Sequence, residues 1–119
     1  MTITVGTPVK RRDGSLQVSF SQSAAGAADE LVADPGDGYR VVVISILASL
    51  SVAGTLALKS AANTLTGALD LGAGVPFGWK GSYRQPMAEC NNSESFVLSM
   101  VIGAVKGILV YRIVDQGPA

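Results

Sequence analysis

Cys90 is the one cysteine in a chain without histidine, so nucleophilic chemistry has a single thiol to draw on and no imidazole to activate it. Glu89 and Asn91 flank it and bring no positive charge to stabilise a thiolate. An inert side chain is the expected state. The same two counts remove histidine- and cysteine-based zinc sites, the usual serine and cysteine triads, and any intramolecular disulfide. Nine carboxylates are present, and two suitably placed ones are the raw material of glycosidase-type acid and base catalysis. Their spacing selects no pair, although Asp70 and Glu94 fall near expected strands in mid-chain. Asp34 and Asp37 stand in a tight Pro/Gly segment of the kind used by calcium loops, but two ligands are too few. Their expected role is to satisfy turn backbone. The expectation is a protein without catalytic residues, metal or cofactor.

Two other groups of residues are of a binding type. Lys10, Arg11 and Arg12 form a basic trio suited to phosphate or an acidic protein surface. Asp13 follows directly and no aromatic interleaves, which favours a solvated turn or a protein contact over nucleic acid. Phe77, Trp79 and Tyr83 concentrate among Pro76, Gly78 and Gly81, with Arg84 beside them. Large aromatics on such a segment either plug one end of a core or serve as interface anchors, and both readings stand at this point. Asn91, Asn92 and Ser93 spell a glycosylation sequon that matters only in a secretory compartment. Met1 to Gly14 contains no apolar segment of signal-peptide length, so the triplet is read as a polar turn.

The elements that must position these groups are strands. From Val41 to Val52 the even positions Val42, Ile44, Ile46, Ala48, Leu50 and Val52 are apolar, while Ser45, Ser49 and Ser51 are polar. Period-2 spacing puts one row on a core face and the other outside. Phe96, Leu98, Met100 and Ile102 repeat the pattern, and Lys106 to Val114 makes a further apolar run. Gly103 and Gly107 suggest a hairpin turn or bulge between them. Thr55 to Lys59 and Leu65 to Leu71 read as two shorter strands. Strands at this spacing predict an all-β sandwich or barrel. The rival is a membrane span, because Val41 to Leu58 is uncharged over a length that reaches the transmembrane threshold. Serines, Gly54 and the alternation count against it, and no membrane partner is expected.

A chain of 119 residues implies one domain, and nine cations against nine carboxylates give no general attraction to nucleic acid. Residues 1–37 differ in composition from the rest: the basic trio, an alternating Leu16, Val18 and Phe20, a small-residue hinge from Ser21 to Ala28, and a turn from Asp34 to Gly38. They are expected to form an extended N-terminal arm with short strand segments, ahead of a sandwich core over 38–114 and a tail over 115–119. Deleting Met1 to Ala25 is then expected to leave the sandwich folded.

Glu30 to Ala33, Tyr39 to Ser45, Thr55 to Ser60, Leu65 to Leu69 and Gly107 to Arg112, taken in that order, resemble small jelly-roll virion proteins of tailed bacteriophages, including capsid decoration or cement proteins. The resemblance spans about Leu31 to Val114 and rests on strand order and glycine-marked turns. The N-terminal extension and Ser82 to Glu94 depart from the pattern, so no partner-contact residue is carried over. The resemblance implies a jelly-roll sandwich that sits as a homotrimer on the outer surface of the capsid and binds the major capsid protein, with no small-molecule substrate. Related sandwiches in phage tails and fibres, and glycan- or host-surface-binding jelly rolls, are the alternative readings.

Overall fold

In a computed structural model the described residues are 4–22, 29–67, 69–82, 84–100 and 104–115. The strands are β1 (Thr4–Val5), β2 (Val9–Lys10), β3 (Leu16–Gln22), β4 (Asp29–Val32), β5 (Tyr39–Leu50), β6 (Gly54–Ser60), β7 (Asn63–Thr64), β8 (Leu69–Leu71), β9 (Phe77–Lys80), β10 (Ala88–Glu89), β11 (Phe96–Met100) and β12 (Val105–Asp115). They form two antiparallel sheets packed together. The larger sheet runs β1-β3-β12-β5-β10, with β2 on β3 and β9 on β5; the smaller runs β4-β11-β6-β7, with β8 on β6. Eight of these strands are ordered β3-β12-β5-β9 in one layer and β4-β11-β6-β8 in the other. The chain changes layer at every step between them except β6 to β8, which is the double Greek key of a jelly roll.

The core lies between the layers. Val18 and Phe20 from β3, Leu31 and Val32 from β4, Leu56 and Leu58 from β6, Phe96 and Leu98 from β11, and Leu109 and Tyr111 from β12 all join one buried cluster. Leu16–Gln22 and Asp29–Val32 therefore do not form the expected arm. Leu16 to Gln22 pairs with β12 along its whole length, from Leu16 opposite Tyr111 to Gln22 opposite Val105, and β4 pairs with β11 in the other layer. Val18, Phe20, Leu31 and Val32 are core, and their burial outweighs the polar composition around them. The expected hinge falls largely on residues 23–28, which lie outside the described residues, as do 116–119 of the expected tail.

The alternation in β5 is correct from Ile46 to Leu50 and then changes phase. Val110 of β12 pairs with Ser45, but Tyr111 pairs with Val43, leaving Ile44 as the extra residue of a β-bulge. Beyond it Val41 and Val43 enter the core cluster, while Val42 and Ile44 are buried outside it. A second correction concerns the expected hairpin near the C-terminus. β11 and β12 lie in opposite layers. Gly107 is inside β12, where a Cβ would stand 2.1 Å from the Leu47 carbonyl oxygen and 2.8 Å from the Ala48 Cβ. Close packing, not a turn, requires glycine there. Val41 to Leu58 is likewise divided between β5 and β6. Among the described residues no helix is long and apolar enough to cross a membrane.

Candidate interaction surface

The groups singled out by residue type do not converge. Lys10 ends β2, and exposed Arg11 and Arg12 form the turn into β3. The turn is closed by Arg11 N–H donating to the Ser15 carbonyl at 2.8 Å and Gly14 N–H donating to the Arg11 carbonyl at 3.0 Å. Asp13 accepts from both the hydroxyl and the backbone N–H of Ser15, which hold its carboxyl below the usual carboxylate range. The aromatic segment is on the far side of the same sheet, since β9 lies on β5 and β12 separates β5 from β3. Trio and aromatics are two places, not one site.

Phe77 and Trp79 belong to a strand rather than a loop. Trp79 pairs with Ile46 and Phe77 with Ala48, both core-facing positions. Their rings meet edge to face at 5.6 Å between centroids, and both pack half-buried against the core cluster. This is the core-plugging arrangement. Arg84 is exposed in a turn where Ser82 N–H donates to the Gln85 carbonyl at 2.9 Å and Gln85 N–H donates to Ser82 Oγ at 3.0 Å. Tyr83 lies outside the described residues.

Glu94, Asp34 and Asp37 serve the loops at one end of the sandwich. Glu94 accepts from Ser60 Oγ at 2.6 Å and from the side-chain amides of Asn91, at 3.1 Å, and Asn63. The Ser60 hydroxyl is the main reason its carboxyl is held below the usual range. Asp34 accepts from Gly36 N–H at 2.8 Å and Ser93 Oγ at 2.9 Å, and Asp37 accepts from the Asn92 amide at 3.2 Å. Asn91 to Glu94 is thus a polar turn that straps the end of β6 to the turn before β5. No group of three or more metal-ligating side chains occurs among the described residues. Cys90 is buried beside this strap, and burial pushes its thiol up to about 11.

The surface that residue typing passed over is the outer face of the larger sheet. Leu47 and Ile108 are cross-strand partners on β5 and β12, 51% and 40% exposed, and they stand among Ser19, Ser45 and Ser49. Gly78, opposite Leu47, leaves that leucine uncovered on its β9 side. A groove of about 490 Å³ runs along this face past Leu47, Gly107 and Ile108, with Lys106 at its rim. One signal was legible: Leu47 interrupts an otherwise serine-bearing row, but its exposure depends on which face the second layer covers.

No family model matches this chain, and no curated protein matches it. Among solved structures it is similar to one titled BiXyn10A CBM1 APO, with 17% identity over 90% of this chain and 78% of that chain and a TM-score of 0.31. A superposition that loose transfers no site or activity.

Proposed function

We propose that the chain is a non-catalytic structural protein of a virion, a decoration or cement protein that binds the outside of a capsid lattice as a homotrimer and stabilises it. The observation that carries this reading is the outer face of the larger sheet: a hydrogen-bonded surface with an exposed Leu47–Ile108 pair at its centre. Leu47 and Ile108 are contiguous across the strands rather than scattered, and contiguous exposed apolar groups favour association with another protein. The jelly-roll strand order and the resemblance to phage virion proteins supply the context. The inward-facing Trp79 weighs against a glycan-binding role, in which Trp79 or Tyr83 would stack on a sugar.

The mechanism is linkage. A protein that binds only the assembled lattice stabilises it by mass action, and many copies multiply a modest contact free energy. The partners are the major capsid protein and the chain itself. Cryo-electron microscopy of the particle fraction containing this chain tests the location: density on the outer shell at lattice-wide copy number supports the reading, and density confined to a tail overturns it. Sedimentation equilibrium tests the trimer, and a monodisperse monomer at micromolar concentration rejects it.

A further inference from the structure

We propose that the outer face of the larger sheet is the docking face, and that its partner is an acidic protein surface with an apolar centre. This rests on the reading of the chain as a structural binding protein and adds the chemistry of what it binds. The strand register decides which side chains share the face. Lys106, Ile108, Val110 and Arg112 follow one another at every second position of β12. Ser45, Leu47 and Ser49 lie beside them on β5, and Lys80 on β9 is opposite Ser45. Past the bulge Arg40, Val42 and Glu89 lie on the same side, but Val42 and Val110 are buried, so the exposed part of the face is the stretch around Leu47 and Ile108.

Charge is therefore divided unevenly across a chain whose nine cations and nine carboxylates cancel. Among the described residues the register puts four cations, Arg40, Lys80, Lys106 and Arg112, on this side with one carboxylate, Glu89, which lies 3.9 Å from Arg40; Arg40 and Arg112 are half-buried, so Lys80 and Lys106 carry the exposed charge. The outer face of the smaller sheet has the opposite balance, with Glu30 and Asp70 against Lys59. Lys80 and Lys106 are exposed and flank the Leu47–Ile108 pair. An acidic rim around an apolar centre complements that arrangement in both charge and hydrophobicity. A second copy seated face to face would set these lysines against their own equivalents. Nucleic acid would gain phosphate contacts but leave the aliphatic centre without a base-stacking aromatic.

The test uses the full chain, isotopically labelled, titrated with a soluble peptide alternating glutamate and leucine, with a lysine–leucine peptide and a single-stranded oligonucleotide as comparisons. The acidic peptide is expected to shift amide signals of Ser19, Leu47, Gly78, Lys106 and Ile108 and to lose affinity at high salt. The double substitution Lys80→Glu and Lys106→Glu is expected to weaken it by about tenfold with the thermal midpoint unchanged. Shifts centred on Lys10 to Arg12, equal responses to the lysine–leucine peptide, equal binding of the oligonucleotide, or concentration-dependent shifts on this face without any peptide each overturn the assignment. Retention on purified shells separates this inference from the function it rests on. Equal retention of wild type and double variant rejects the face alone, whereas loss of wild-type retention with peptide binding intact rejects the shell role alone.

Discussion

Cys90 and Glu94 are close in sequence and have opposite fates. Burial disfavours the Cys90 thiolate, so at neutral pH a thiol reagent such as DTNB is expected to leave the native protein unmodified and to react with one thiol per chain on unfolding. Rapid labelling of native protein would contradict the buried placement. Glu94 has a folded-state value below the ordinary 4.5 because Ser60, then Asn91 and Asn63, donate to the ionised form. A depressed value means that the contribution to stability is complete above 4.5 and is lost as pH falls through the folded-state value. Glu94→Gln is therefore expected to lower stability at pH 7, where the contribution is complete, and to approach the wild type at low pH, which flattens the acid side of the profile. Denaturant midpoints measured across the acid range for both proteins check this, and parallel profiles would remove Glu94 from the strap.

At the scale of elements, the bulge at Ile44 makes a sharp prediction about β5. Ile46→Asp and Val43→Asp each bury an unpartnered carboxylate, at 2% and 0% exposure, and each is expected to abolish folding at a cost of several kcal/mol. Ser49→Asp, on the outer row, is expected to be tolerated. Far-UV circular dichroism of the three variants decides it, and tolerance of Val43→Asp would mean that the alternation runs unbroken. The N-terminal strand makes a second prediction. Deleting Met1 to Ala25 removes all of β3, including buried Val18 and Phe20, and strips one side of β12 of its hydrogen-bonding partner. The truncated chain is expected to be unfolded, in contrast with the sequence-based expectation, and a cooperative melt like that of the intact protein would restore the arm.

For the whole molecule, the order β3-β12-β5 means that the last long strand is inserted between two that precede it, with Leu16 meeting Tyr111. No local hairpin forms that centre, so loop closure over nearly the full chain precedes the pairing that offsets it. Refolding followed by Trp79 fluorescence is expected to take milliseconds to seconds, and a microsecond rate would be incompatible with this order. The same topology sets the polarity of the surface. It places cations from β5, β9 and β12 on one broad face although they are scattered along the sequence.

The all-β class, the core row from Ile46 to Leu50 and the turn role of Asp34 are legible from the chain alone, because each follows from local spacing and backbone chemistry; Asp37 instead accepts from the Asn92 side chain. Period-2 alternation reports that a strand has a buried face, and prolines and glycines report where the chain turns. That Leu16 to Gln22 is an inner strand, that β11 and β12 part company, that Gly107 is a packing glycine and that Trp79 faces inward while Leu47 faces out are settled by the packing of the two layers. Each of these depends on which distant strand lies alongside. A one-residue bulge exchanges the faces of a strand, and the covering layer, not the residue type, determines whether an apolar side chain is core or surface.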